Sequence, residues 1–417
     1  LHNPDTDVFM EYTLAGAYDS NIALLLTVGE NRDSCYQNMA EVLRQTTMRG
    51  PDLNTNLNFH YGLVNWFLGN EINARPTTKF IVPYLTAVGE LAKEAQRVDI
   101  EAAWALLCKQ RIDEALPEHQ AALQNVLQSK QSLLLRPMKL LLDSPHLLSG
   151  WLSVNGGAFQ RDGDHISWAE NPVDLLSDTY HFLKMDWSAE AAAAHVIWDH
   201  DHKILSEAED FYRDLGQQLE VEHWSDLNAL LNAPEHDGWS REEWADIVAA
   251  HRGFQAGMEI LELLPAMARF TGFYELGVNL DLSIAIPDRL LNEAHQGAMA
   301  KVLAPPPVAK SNEIVAVSGG MFYGREAPDA PLYVQAGDHF EAGEPVYIVE
   351  VMKMFNKVYA PFAGVVDEVL IEGEGVIISK GQPLFKVTPD EKVEIEPEHV
   401  VAERRRTHTR ELMKMFL

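Results

Sequence analysis

Apolar positions along the chain change their spacing several times. In YDSNIALLLTVG (18–29) they run almost without interruption, as in a buried strand, and NRDSCYQNMAEVLRQTTMRG (31–50) follows with helical spacing up to a glycine. Residues 1–95 therefore read as mixed α and β. From 96 to 302 the spacing is almost wholly helical, as in AAWALLCKQRIDEAL, LQNVLQSKQSLLLRPMKLLL, AEAAAAHVIWDHDHKIL and EEWADIVAAHRGFQAGMEILELL, with Pro, Gly and Asn-Gly breaks between the runs. The stretch LAPPPVAK (303–310) predicts a stiff, extended hinge, because proline fixes φ and cannot donate to a ladder. Residues 311–390 switch to period two with frequent glycines, in PVYIVEV, NKVYAPFAGVVDEVLI and GVIISKGQPLFKV, which predicts a compact all-β module. A charged tail, 391–417, returns to helical spacing. The predicted class is multidomain α+β: a mixed α/β N-terminal segment, a large helical middle domain and a C-terminal all-β module.

The β module repeats itself. Gly337, Gly343, Pro345, Val346 and Tyr347 recur 38 residues later as Gly375, Gly381, Pro383, Leu384 and Phe385, so two similar halves are expected. Gly320 and Gly364 open the corresponding turns, but 17 residues separate Gly320 from Gly337 against 11 from Gly364 to Gly375. The first half thus holds about six extra residues, around Arg325 to Ala330. Between the halves Glu350-Val351-Met352-Lys353-Met354 ends one expected strand and begins the next. That places Lys353 at the tip of a tight hairpin, facing solvent.

Charge narrows the possible functions. With 33 Lys+Arg against 62 Asp+Glu the formal net charge is −29, an acidic field that disfavours nucleic-acid binding. No apolar run is long enough for a membrane helix, and the N-terminal LHNPDTD lacks the basic and apolar regions of a secretion signal, so a cytoplasmic protein is expected. Two cysteines, Cys35 and Cys108, make neither a disulfide framework nor a zinc site.

The hairpin sequence with its flanking repeat resembles the biotin carboxyl carrier domain, whose signature is Glu-Ala-Met-Lys-Met between two quasi-symmetric halves; here Val351 replaces the alanine, as in carriers of eukaryotic acetyl-CoA carboxylases. The resemblance covers about 80 residues. It implies a flattened barrel or sandwich, with covalent biotin on Lys353 and the cofactor-binding residues Glu350, Met352, Lys353 and Met354. The lipoyl domain is similar but sets its lysine beside Asp and Ala, so the methionine flanks favour biotin. The six-residue excess falls where carriers of bacterial acetyl-CoA carboxylase insert a thumb, although their Ser-Pro-Met-x-Gly opening is shortened here to Ser318-Gly319-Gly320. More weakly, residues 17–64 resemble the end of a biotin carboxylase domain. Tyr18, Asp19, Ile22, Ala23, Gly29, Arg32, Thr55 and Asn56 fit, while Ser20, Asn21 and Leu24 depart from its Pro-Met and lysine. Its ATP-grasp core would lie before this segment, and the chain reads as part of a longer polypeptide, unable by itself to carboxylate biotin.

The resemblance implies a biotin-dependent acyl-CoA carboxylase, acetyl-CoA the favoured substrate. ATP and bicarbonate carboxylate biotin at one site, and a carboxyltransferase passes the carboxyl group to an acyl-CoA at another. Implied partners are biotin protein ligase, biotin carboxylase and carboxyltransferase domains or subunits, and an oligomeric assembly. The organisation expected is the C-terminal part of a biotin carboxylase domain (1–95), a helical linking domain (96–302), the hinge (303–310), the biotinyl domain (311–390) and the tail (391–417). A scaffold protein retaining a biotinyl module, or a carrier for a pyruvate or propionyl-CoA carboxylase, are the alternatives. Met413-Lys414-Met415 repeats the Met-Lys-Met core without the glycine repeat, so no modification is expected at Lys414. His195, Asp199 and His202 share a helix face, a conceivable metal site, but an acidic, His-containing helix yields such spacing by chance and no metal is expected. Trp187, Trp198, Trp224, Trp239 and Trp244 read as helix packing. No Gly-rich phosphate loop, nucleophile elbow or catalytic triad is present.

Overall fold

The computed structural model describes residues 2–3, 8–9, 22–46, 48, 55–162, 165–185, 196–303, 312–351, 354–371, 373–390 and 398–414. Two compact units result: Leu26–Ala304 with Pro397–Leu417, and Pro305–Glu396 with Leu1–Leu25.

The first unit is helical. Its helices are α1 (Arg32–Gln45), α2 (Leu57–Gly69), α3 (Ile81–Ala95), α4 (Ile100–Glu114), α5 (Pro117–Asp143), α6 (Pro145–Val154) and α7 (Pro172–Phe182). These are followed by α8 (Val196–Leu219), α9 (Trp224–Leu231), α10 (Arg241–Gln255), α11 (Leu263–Phe270), α12 (Glu293–Leu303) and α13 (Glu398–Met413). Local chemistry sets the starts of several. Asn31 and Ser34 form a reciprocal capping box at α1, Ser240 and Glu243 do so at α10, and the Asp99 side chain accepts from Ala102 N–H at α4. Two short hairpins, Phe159–Asp162 with His165–Trp168 and Gly277–Val278 with Ile284–Ala285, interrupt the helices. The core is centred on Trp66, Tyr84 and Trp151, each fully buried, with the Tyr84 hydroxyl 3.0 Å from Ser149 Oγ.

Two expectations change. The buried strand expected over 18–29 does not form in its described part. Residues 22–29 are irregular, and Leu24, Leu26 and Val28 are 82%, 80% and 88% exposed. An apolar run becomes a strand only when a neighbour completes its ladder, and among the described residues none pairs with it. Helix α1 stops at Gln45, capped by Thr46 whose N–H donates to Val42 O, instead of running to Gly50.

The β module explains the glycine repeat. Its strands are β1 (Glu313–Val315), β2 (Gly320–Tyr323), β3 (His339–Phe340), β4 (Pro345–Val351), β5 (Met354–Tyr359), β6 (Gly364–Val369), β7 (Val376–Ile378) and β8 (Pro383–Pro389). They form two four-stranded antiparallel sheets, one ordered β5-β4-β2-β7 and the other β1-β8-β6-β3. Exchanging the halves maps each sheet onto the other: β4 corresponds to β8, β2 to β6, β7 to β3 and β5 to β1. The repeated glycines sit at equivalent turns with left-handed φ, +94° and +68° at Gly337 and Gly375, and +88° and +78° at Gly343 and Gly381. A side chain would strain each of these turns. Their N–H groups make matched bonds, Gly343 to Ala360 O at 2.8 Å and Gly381 to Ala316 O at 2.7 Å. Tyr347 and Phe385, equivalent in the repeat, both enter the shared core, with ring centroids 6.3 Å apart.

Candidate functional site

The hairpin between the halves is held in register to its end. β4 pairs antiparallel with β5 from Tyr347↔Val358 through Glu350↔Phe355 to Val351↔Met354. Only Met352 and Lys353 join the strands, and both lie outside the described residues. What the described residues establish is the frame.

Glu350 lies on β4 opposite Met321 of β2, and its carboxylate accepts a 2.7 Å hydrogen bond from the Tyr323 hydroxyl. That bond, with the carboxylate's charge, holds the phenol above its usual pKa. Tyr323 in turn packs on Phe355 of β5, ring centroids 5.6 Å apart. Three strands are thereby linked beside the turn.

The extra residues of the first half form a loop that leaves β2 at Gly324 and closes where Tyr333 N–H donates to Gly324 O at 2.9 Å. Two ion pairs pin it. Arg325 Nε bonds Glu374 at 2.9 Å, with Gly324 N–H on the same carboxylate at 2.8 Å, and Lys357 Nζ of β5 bonds Glu326 at 2.9 Å. The Glu326 bond raises the Lys357 pKa. A cavity of about 440 Å³ lies between loop and hairpin, lined by Tyr323, Phe355, Glu374 and the loop residues Arg325 to Pro328. Tyr323, Lys357, Phe355 and Glu374 were not singled out from sequence; Glu374 lies in the turn equivalent to that before Gly337, and no spacing rule couples it to Arg325.

The other sequence candidates are not brought together among the described residues. His195 is outside the described residues, and His202, with a buried Nε2 lacking a hydrogen-bond partner, packs edge-on against the Tyr180 ring. No metal-holding group of His, Cys, Asp and Glu occurs among the described residues. Trp187 is outside them too. Trp244 is buried with its indole N–H on Ala233 O at 3.0 Å, and Trp224 lies against Tyr212 and His251, which is packing. Lys414 is exposed and paired with Glu411, while its neighbour Met413 is buried in the helical unit. That second Met-Lys-Met owes its methionine to core packing. Of the residues matching a biotin carboxylase end, Tyr18 and Asp19 lie outside the described set, and Arg32 opens α1. No helix among the described residues is long and apolar enough to cross a membrane.

Residues 314–387 match the family described as biotin-requiring enzymes. This is a biotinyl-type domain, whose cofactor is covalently attached biotin. More particularly, it is homologous to the biotin carboxyl carrier protein of acetyl-CoA carboxylase. The protein of that name from Nostoc sp. is 35% identical over 81 residues, 19% of this chain and 44% of the relative. The one from Chlamydia trachomatis is 38% identical over 79 residues, 19% and 48% of the two chains, and that from Chlamydia pneumoniae 44% over 71 residues, 17% and 42%. The chain thus spans about half the length of the curated relatives it matches. A solved single-chain, multi-domain long-chain acyl-CoA carboxylase aligns over 34% of this chain and 13% of its own, at 18% identity and a TM-score of 0.17, too low for a shared architecture to be argued.

Proposed function

We propose that Lys353 carries the biotin and that the module shuttles a carboxyl group between a biotin carboxylase site and a carboxyltransferase site of an ATP-dependent acyl-CoA carboxylase, with acetyl-CoA the favoured substrate. The observation that carries this reading is a register-locked hairpin whose two-residue connection contains Lys353, set between dyad-related sheets of the biotin-requiring family. In this reading residues 1–95 are the end of a biotin carboxylase domain, 96–302 a linking domain, and biotin protein ligase the modifying partner. The ligase supplies biotin, and the carboxylase and carboxyltransferase belong to an oligomeric assembly.

The residues beside the hairpin fit the group. Tyr323, Phe355, Ala327 and Pro328 offer apolar walls, and Arg325 and Glu374 give the cavity a polar edge, which suits a bicyclic ring with one hydrocarbon side and one urea side. When bound, biotin supplies a ureido nitrogen that accepts and releases a carboxyl group. The chain's part is to present the tether. The β4–β5 ladder fixes its root, the Tyr323–Glu350 bond ties that ladder to β2, and the pinned loop gives the ring a resting place that narrows its conformational freedom. Treating the chain with biotin protein ligase, biotin and ATP should add the mass of one biotinyl group. Modification by a lipoate ligase in its place would favour the lipoyl alternative.

Replacing Arg325 to Ala330 by a short Gly-Ser turn should leave melting temperature and biotinylation nearly intact while slowing carboxyl transfer in the reconstituted enzyme. It removes two solvent-facing ion pairs, whose attraction water largely screens, and shortens a surface loop, whose closure entropy changes only logarithmically with length. Unaffected transfer, or an unfolded module, would mean the loop is ordinary surface or part of the core.

A nucleotide site has no sequence counterpart here, so calorimetric titration of the chain with Mg-ATP should show no micromolar binding. Binding at that strength would place ATP chemistry on these residues and overturn the expectation that the carboxylation site lies elsewhere.

A further inference from the structure

The β module lies in the sequence between α12 and α13, and both of these helices belong to the helical unit. α12 packs along α3, while α13 packs on α4 and α11 and reaches the end of α3 through one side chain. On α3, Gly89 lets α12 approach so closely that a Cβ there would stand 2.6 Å from Met299 Cβ, and Glu90 Oε1 lies 2.8 Å from His295 Nε2 of α12. One turn further along α3 the buried Glu94 pairs with His408 of α13. Beside it Thr409 Oγ1 accepts Asp99 N–H at 2.9 Å, Arg405 donates to Val98 O, and Thr409, Leu412 and Met413 are buried. Glu90 and Glu94, spaced i and i+4 on α3, therefore meet one side chain of the helix before the module and one of the helix after it.

A tail whose only role was to leave the module would need neither a buried threonine matched to a backbone N–H nor two core side chains at its far end. We propose that α13 is a return anchor: the carrier hangs from two points on the helical unit, α12 on α3 and α13 on α4 and the end of α3, and Glu94, His408 and Thr409 act as positioning residues that bound its travel. Residues 304–311 join Leu303 to Asn312 and so span at most about 30 Å, and 391–397 join Asp390 to Glu398 over at most about 27 Å. A module on one linker sweeps everything within that linker's reach. A module on two sweeps only the overlap and cannot turn freely about its attachment. This rests on the carrier reading only for its functional consequence.

The test uses the full 417-residue chain with a specific protease site placed within 391–397. Backbone ¹⁵N relaxation of β-module amides is measured before and after cutting, and in an uncut His408→Ala/Thr409→Asp chain. Cutting should shorten the module's rotational correlation time, the substitutions should shorten it likewise, and helical-unit amides should change little. Unchanged module tumbling after the cut would overturn the anchor, even if the substituted chain failed to fold. In the biotinylated, reconstituted enzyme the cut should lower kcat for carboxyl transfer with the KM for acyl-CoA unchanged. If relaxation shows release but Lys353 takes no biotin, the anchor stands and the carrier reading falls.

Discussion

Substituting Lys353→Arg should abolish avidin-detectable biotin on the chain, whereas Lys414→Arg should leave the signal unchanged. Both lysines sit between methionines, so short-range sequence does not separate them. Their frames do. Lys353 is one of two residues connecting β4 to β5, strands paired up to Val351↔Met354 in a module with dyad-related glycine turns. Lys414 lies just after α13, where it pairs with Glu411 at 2.8 Å and follows a methionine that is 1% exposed. A ligase must bring an amine to an activated acyl group, which the neighbouring Met413, locked in a helix core, opposes at Lys414. Arginine keeps the charge but lacks the primary amine that forms the amide, so loss of signal would report chemistry and not folding. Signal surviving at Lys353→Arg, or lost at Lys414→Arg, would sink the assignment of the attachment site.

Trp151→Ala should destabilise the helical unit by about 3–5 kcal/mol, the usual cost of emptying a large aromatic site in a close-packed core. Trp151 is fully buried in α6, its indole N–H donates to Thr179 Oγ1 of α7 at 2.8 Å, and its ring meets Phe159 edge-on at 6.1 Å. Truncation therefore opens a cavity at the meeting of two helices and a hairpin, and removes a buried hydrogen bond. Trp151→Phe, which keeps much of the volume, should cost less. Because Trp151 and the β module belong to different compact units, chemical denaturation should show the helical transition moving while the module's transition and its acceptance of biotin hold steady. A cost below about 1 kcal/mol would contradict the burial seen here, and a parallel shift of the module would mean the two units unfold as one.

What could be read from the chain by itself was what short-range periodicity and local chemistry fix. The 38-residue recurrence of Gly337, Gly343 and Pro345 announced two similar halves, because left-handed turns at fixed strand spacing demand glycine wherever the chain runs. The Met-Lys-Met hairpin and the excess residues near Arg325 followed from the same count, and the helical middle followed from its 3.6-residue period. Contacts distant in sequence decided the rest. Residues 22–29 have a strand's pattern but no described ladder partner, and pattern alone cannot supply one. The pairing of Arg325 with Glu374 and of Lys357 with Glu326 depends on the strand order β5-β4-β2-β7 within one sheet. So does the bond from Tyr323 to Glu350, which no periodicity encodes. Likewise the tail 391–417 showed its helical spacing in sequence, but that Thr409, Leu412 and Met413 of its helix close the core beside α4 was settled only by tertiary packing, since burial is a property of what a face meets and not of the face itself.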